Sequence, residues 1–534
     1  MNTSLALTAS SLMLSVAAAG LLQASAAGVD FARDIQPLLA RRCYSCHGPE
    51  TQEAGLRLDD RAAATRELES GSTAVVPGDP AESELVARVT STDHDLRMPP
   101  EGPRLTATEV GLLEGWIAAG AEWQAHWAFR PVERPPPAAA AHPVDAFVDA
   151  GLAARGLARA PEADKATLLR RATYGVTGLP PTEKEVQDFL ADDSPAAWEK
   201  VVDRLLASPH YGEHWGRHWL DLVRYAETNS FERDGAKPHA WRYRDYVIRS
   251  FNGDKPYDRF VIEQLAGDEL PAPTADSLVA TGYYRLGLWD DEPADKLQAR
   301  YDWLDDIVST TGQVFLGLTI NCARCHDHKI DPLPQRDYYA LLAFFHSVTP
   351  MGDRHLDPAF IERPLPAKGG TLAEARDQAL ERDRRRAEAK ANIDAITKRI
   401  EEHGDQALDD LTRQDLAGWK KLLAQLDAEG RRQPTALVVS EHGPQAPDTF
   451  VFYRGNPHAE PQPEHRVEPA FPAILEPPDP EIEPPASGQS SGRRLALAKW
   501  ISSPSNPLTA RVLANRIWQH HFGRGIVKSP NNFG

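Results

Sequence analysis

Apolar side chains recur at helical spacing along most of this chain. Phe31, Ile35, Leu38 and Leu39 set an i, i+4, i+7, i+8 stripe, which predicts a helix that runs out just before Cys43. A second helix is predicted from Thr106, where Glu109 three residues on completes a capping box. It buries Val110, Leu113, Trp116 and Ile117 and stops at Gly120. Between 144 and 348 the same period returns in LLRRATYGVTGL, WEKVVDRLLASP and FVIEQLAGDEL, with few alternating runs. Residues 371–430 carry two charged, heptad-like segments broken at His403 and Gly404. Ile393, Ile396 and Ile400 stand on one and Leu416, Trp419, Leu423 and Leu426 on the other, a pattern that predicts an antiparallel helical hairpin. A short strand at 449–453, a helix through 495–500 and a strongly amphipathic helix in LTARVLANRIWQHHF complete the reading.

The expected fold class is therefore mainly α, with a small helical domain followed by a larger α-rich one that carries a hairpin insert. The stretch PVERPPPAAAAHP, residues 131–143, holds too many prolines for helix or sheet and marks a linker. The expected order is a leader at 1–27, a small domain at 28–130, the linker, and an α-rich domain at 144–350. Loops with the hairpin follow at 351–490, and then the start of a third domain at 491–534 that breaks off early.

The leader reading rests on residues 1–27, which contain no charged side chain, an apolar run from Leu5 to Leu22 and the small triplet Ala24, Ser25, Ala26. That is the pattern of a secretory signal, although its n-region lacks Lys or Arg, as an uncleaved membrane anchor also could. No later stretch is apolar enough to span a bilayer, so the rest is expected on the periplasmic or otherwise extracytoplasmic side. The formal charge of −18 argues against a nucleic-acid partner, because phosphate contact relies on clustered Lys and Arg.

The chemistry is concentrated in the cysteines. The chain has 4, and all fall in CxxC pairs followed at once by histidine: Cys43, Cys46 and His47 in CYSCH, and Cys322, Cys325 and His326 in CARCH. Cysteines three apart can each form a thioether to one haem vinyl group while the adjacent imidazole meets the iron, so the motif predicts covalently bound haem c at each site. A shared four-thiolate zinc site would not call for the two trailing histidines. A thioredoxin-like dithiol would need a βαβ pattern that neither site shows.

An electron-transferring haem iron takes a sixth ligand, and Met98 in RMPPEG is the candidate for the first site, held in a stiff Pro-rich loop. For the second, Met351 follows in a loop, and the helix YGEHWGRHWLDLVRY places His214 and His218 on one face, where either could ligate or the pair could hold a metal. Packing of these histidines against Trp215 and Trp219 is the alternative. His328 is too near His326 in sequence to reach the opposite face of an iron. Asp221, Arg224, Tyr225 and Glu227 beside that helix could serve acid–base work or form surface ion pairs.

With these residues in place, the chain resembles the planctomycete-type cytochrome c proteins, in which a cytochrome c module precedes two cytochrome-associated domains of unknown function. The first module is carried by CYSCHGPE, GLRLDDR, VVPGDPAESEL and RMPPEG. The second is carried by GEHWGRHWLDLVRYAET, HAWRYRDYVIRSFNGDKPYDRFVIEQLAGDEL and TGQVFLGLTINCARCHDHKIDPLPQRDYYALLAFF, and the third only by NPLTARVLANRIWQHHFGRGIVKSPNNFG. The resemblance implies haem at Cys43, Cys46 and His47 with Met98 as distal ligand, and a second cytochrome-like site at Cys322, Cys325 and His326. It favours His218 over His214. The family's setting alongside polysaccharide-degrading genes points to a carbohydrate-related substrate.

Two functions follow as expectations. One is an exported dihaem electron carrier that meets a redox partner protein. The other is a haem-dependent oxidoreductase or glycan-binding protein acting on a carbohydrate-related substrate.

Overall fold

A computed structural model describes residues 29–48, 51–123, 126–134, 142–232, 234–350, 362–367, 370–404 and 409–534. The leader at 1–27, most of the linker and Met351 lie outside the described residues. The described residues are mainly helical, with two small antiparallel sheets among them. It divides into two compact units, one built on residues up to Arg130 and the other mainly on residues from Pro131 onward. Among the described residues no helix is long and apolar enough to cross a membrane.

The first unit grows from the apolar stripe. Asp30 caps the chain by accepting from the Arg33 backbone N–H at 2.8 Å, a π-helical turn spans Phe31–Ile35, and helix α1 continues over Gln36–Arg42. Phe31, Ile35, Leu38 and Leu39 are all buried, as the spacing predicts. A short helix α2, Tyr44–His47, follows directly, and Glu84–Thr90 forms α3. The predicted capping box opens α4, Ala107–Ala118. The Thr106 hydroxyl accepts from the Glu109 N–H at 3.2 Å and the Glu109 carboxylate accepts from the Thr106 N–H at 2.8 Å. Leu113, Trp116 and Ile117 enter the core, where Trp116 meets Phe31 and Trp123 at ring-centroid distances of 5.5 and 4.5 Å. Burying side chains of this size is what gives so small a unit a core of its own.

In the second unit the elements used below are α5 (Lys165–Thr177), α6 (Pro209–Leu222), α7 (Trp241–Asn252), α8 (Tyr257–Ala266), α9 (Lys296–Thr311) and α10 (Gln335–Leu342). The hairpin forms as expected, from α11 (Leu372–His403) and α12 (Asp410–Arg432), and Gly404 ends the first arm at φ +76°. Its inward residues Ile393, Ile396, Ile400, Leu416, Trp419 and Leu423 are only partly buried, because two helices alone cannot enclose a core. The base of the hairpin is clamped by a strand pair absent from the sequence reading, β1 (Glu362–Pro364) against β2 (Thr435–Leu437). The strand expected at 449–453 is shorter, β3 (Thr449–Phe450), paired with β4 (Arg466–Val467). It ends where a tight turn places Arg454 at φ +50°.

The opening of the expected third domain packs into this same unit. Helix α13 (Arg493–Ile501) lies against α8, and α14 (Pro507–Phe522) follows. The tie is ionic. Arg494 is fully buried and reaches Asp268 at 2.7 Å, Glu269 at 3.1 Å and Glu441 at 2.7 Å. One guanidinium faces three carboxylates, and burial, with Asp268 and Glu441 beside it, raises the Glu269 acid to about 7 although Arg494 opposes the shift.

Candidate functional site

The first CxxCH is set by the end of α1. The Cys43 N–H still bonds to the Leu39 carbonyl at 2.8 Å, and the Cys46 and His47 N–H groups then return to the Cys43 carbonyl at 3.1 and 2.9 Å. This single turn keeps both thiols and the imidazole together. Arg42 bridges to Glu109 at 3.2 Å, which links the motif to the capped start of α4. Gly48 follows because a Cβ there would stand 2.4 Å from the Tyr44 carbonyl oxygen.

Cys43, Cys46, His47 and Met98 all line one cavity of about 540 Å³. Its remaining walls include Leu56, Leu58, Leu85, Val89 and Leu105, so the interior is largely apolar. Met98 is held there by its backbone N–H, which donates to the Arg88 carbonyl at the end of α3 at 3.0 Å. Burial pushes the Cys43 thiol up to about 12, so it is neutral. Burial also lowers the His47 pKa, against the opposing pull of Glu53, and leaves Nδ1 buried without a hydrogen-bond partner. A neutral imidazole with an orphaned nitrogen, two thiols and a thioether around an apolar space are a donor set that fits a haem.

The second CxxCH is arranged differently. A 3₁₀ turn spans Ile320–Arg324 and Cys325 caps it, so His326 falls beyond the helical turn rather than on it. The turn is fastened from beneath. Ala323 is buried, and the Arg324 carbonyl accepts from Gln335 Nε2 at 2.9 Å and from the Tyr339 hydroxyl at 3.0 Å. Cys322, Cys325 and His326 face outward and are exposed. His326 Nδ1 lies 2.6 Å from the Asp327 backbone carbonyl. A carbonyl can only accept, so Nδ1 donates this bond, the kind of outer hydrogen bond that orients a metal-ligating histidine.

His218 lies apart from that motif. Its ring stacks on His520 of α14, with centroids 3.8 Å apart and planes 18° apart, in a cavity of about 440 Å³ lined by none of Cys322, Cys325 and His326. His214, one turn earlier on α6, instead packs over Gly178, where a Cβ would come within 2.5 Å of its Nδ1. Trp215 Nε1 donates to the Gly175 carbonyl at 3.2 Å and its ring meets His521 at 5.1 Å. Among the described residues no group of three metal-ligating side chains converges. Two of the proposed acid–base residues are engaged in ion pairs, Arg224 with Asp306 at 2.6 Å and Glu227 with Arg244 at 3.2 Å, and the Tyr225 hydroxyl donates to Glu227 at 2.7 Å. The sequence reading missed His520 and His521. The available signal was the histidine doublet at the end of an amphipathic helix, in IWQHHF.

Comparison with known protein families finds three consecutive matches. Residues 43–102 match the family described as planctomycete cytochrome C. Residues 143–350 match a protein of unknown function (DUF1549), and residues 493–534 match another (DUF1553). No curated protein and no solved structure matches the chain.

Proposed function

We propose that this chain, which has the planctomycete cytochrome c architecture of three successive family modules, is an extracytoplasmic c-type cytochrome that transfers electrons. The observation that carries the reading is the convergence of Cys43, Cys46, His47 and Met98 on one apolar cavity. Cys43 and Cys46 would hold haem through thioethers, and His47 and Met98 would ligate its iron. When bound, haem would supply a one-electron couple, and a Met thioether ligand raises the potential of such a couple.

The chain's own residues prepare that site. Leu56, Leu58, Leu85, Val89 and Leu105 give the cavity apolar walls, which favour the less charged state of whatever is held there. The Met98 backbone bond to Arg88 fixes the loop that presents the thioether, so little ordering remains when a ligand bond forms. Burial keeps the His47 ring neutral and therefore competent to ligate.

A dihaem reading is supported by the His326 Nδ1 bond to the Asp327 carbonyl, which orients the ring, and by Cys322 and Cys325 open to solvent beside it. Covalent attachment suits a compartment outside the cytoplasm, where a cofactor that dissociated would be lost.

The test is the pyridine haemochrome spectrum and intact mass of the full chain made with cytochrome c maturation machinery, beside a Cys322→Ala, Cys325→Ala double variant. Two haem masses in the parent and one in the variant are expected. One haem in both would leave a monohaem carrier with a surface dithiol, and none in the parent would overturn the cytochrome reading.

A further inference from the structure

The wall of the first cavity is not apolar throughout. Helix α3 turns Glu84, Leu85, Arg88 and Val89 toward it, at the i, i+1, i+4, i+5 spacing of one helical face. Leu85 and Val89 are buried, whereas the side chains of Glu84 and Arg88 remain 35% and 36% exposed, so this face is apolar at depth and charged at the mouth. The turn before α3 adds two hydroxyls. The Glu84 N–H donates to the Thr73 carbonyl at 3.1 Å, which brings that turn beside the start of α3. The Ser70 and Ser72 hydroxyls in it lie 2.9 Å apart, and both residues line the cavity.

The two arginines of the lining are placed differently. Arg42 adjoins Cys43 and gives its guanidinium to Glu109, through Nε at 3.3 Å and Nη2 at 3.2 Å. Arg88 stands on another helix and, among the described residues, bonds Glu84 through Nε at 2.7 Å, which leaves the outer end of its fork for a second carboxylate. A haem tethered at Cys43 and Cys46 carries its two propionates on the edge opposite the thioethers. Carboxylates cannot rest unpaired against Leu56, Leu58 or Leu105, so they need a polar stretch of wall away from the CxxCH turn. Glu84 and Glu101 line the cavity too, but they repel a carboxylate, and Arg88 is the cation left to receive one.

We propose that Arg88 receives a propionate of the first haem and thereby raises its reduction potential, with the Ser70 and Ser72 hydroxyls as further donors. The proposal rests on haem being held at Cys43 and Cys46, as argued above. A fixed positive charge beside the porphyrin disfavours the ferric state, the more positive of the two, so the couple moves to higher potential. Without Arg88 the bare propionate would push it the other way. The Arg88 backbone carbonyl also accepts the Met98 N–H at 3.0 Å, so one residue meets both the propionate and the loop that carries the thioether. A side-chain substitution leaves that backbone bond in place.

The test uses the full chain carrying Cys322→Ala and Cys325→Ala, so that only the first haem is read, and compares Arg88→Gln, Arg88→Lys and Arg61→Gln. Arg61 is exposed, pairs with Glu122 at 3.6 Å and does not line the cavity, so its loss removes the same charge from the same unit. Intact mass first establishes that haem is attached, and potentiometric titration and resonance Raman spectra of the propionate bending band follow. Arg88→Gln is expected to lower the potential and shift that band while the low-spin spectrum is kept. Arg88→Lys, which keeps the charge and loses the fork, is expected to recover part of the potential, and Arg61→Gln to match the parent in both. Haem in place with an unchanged potential and band in Arg88→Gln would overturn this proposal alone, and so would an equal drop in Arg61→Gln. A parent without haem would overturn the cytochrome reading and this proposal with it.

Discussion

The rings of His218 and His520 stack at 3.8 Å between centroids, one on α6 and the other on α14, far apart in the chain. Two imidazolium rings could not share that contact, so the pair is held neutral. Burial first, and then His520 and His214, lower the His218 pKa to about 4.

Acid should therefore weaken the second unit as these rings become charged, with Glu269, held near 7, opposing the loss because its folded acid takes up a proton over the same range. His346 behaves like His218, brought to about 4 mainly by burial, with Arg300 and Arg493 adding to the shift and Asp448 opposing it. Both rings titrate lower in the folded chain than the ordinary value of about 6.5, so between roughly pH 6.5 and 4 the unfolded chain binds more protons. Stability is then present above that window and lost as pH falls through it. Urea midpoints measured at intervals from pH 7 to pH 4 should show the loss, and His218→Asn with His346→Asn should reduce its slope. An unchanged slope would remove these histidines as its cause.

Replacing Met98 should change the first site without emptying it. In Met98→Ala the thioether is lost while Cys43 and Cys46 remain, so intact mass should keep the haem and the absorption spectrum should turn from low to high spin. A spectrum identical to the parent's would assign the sixth ligand elsewhere.

Arg494→Met should destabilise the second unit by about 3–5 kcal/mol, the usual result of stripping a buried charge cluster of one partner. Three carboxylates, Asp268, Glu269 and Glu441, would then share a buried space without a cation. Chemical denaturation followed by tryptophan fluorescence reads the loss, and a midpoint within error of the parent's would show that the cluster is hydrated in solution.

Gly455 and Gly78 separate strain from collision. Both have positive φ, +70° and +87°, but a Cβ on Gly455 would lie 2.8 Å from Cys325 Sγ while one on Gly78 meets nothing within 4 Å. Gly78→Ala should cost about 1–2 kcal/mol from backbone conformation alone. Gly455→Ala should cost more and should also lower the fraction of chains carrying a group on Cys325, read by intact mass. Equal effects of the two substitutions on both readouts would dismiss the contact.

What was legible in the sequence was local. The Phe31, Ile35, Leu38, Leu39 stripe and the Thr106–Glu109 box concern residues a few positions apart, and helical geometry turns such spacing directly into burial and capping. The CxxCH turns are contiguous too, and Met98 stood out because its Pro-rich surroundings do not resemble a core. His520 left no comparable mark. Its partner is on another helix, and no period within α14 reveals which ring from elsewhere will lie on it. Arg494 was hidden for a related reason. It adjoins Arg493, and nothing in SGRRLALAKW tells which arginine is fully buried. The strand pair at the base of the hairpin is only three residues long on each side, too short to show alternation.

The ionic tie at Arg494 also bears on how such a chain can be divided or inherited. Residues 493–534 match one family and residues 143–350 another, yet any cut between them would part Asp268 and Glu269 from the Arg494 guanidinium, and Glu441, which lies between the two matches, would go with one side or the other. Neither fragment would be a natural unit for expression. The same mismatch makes recombination at that boundary costly, because a foreign neighbour would have to bring its own arginine to the same spot. Family borders drawn on sequence and the borders of cooperative folding therefore part company here, and the second kind governs which pieces can travel alone.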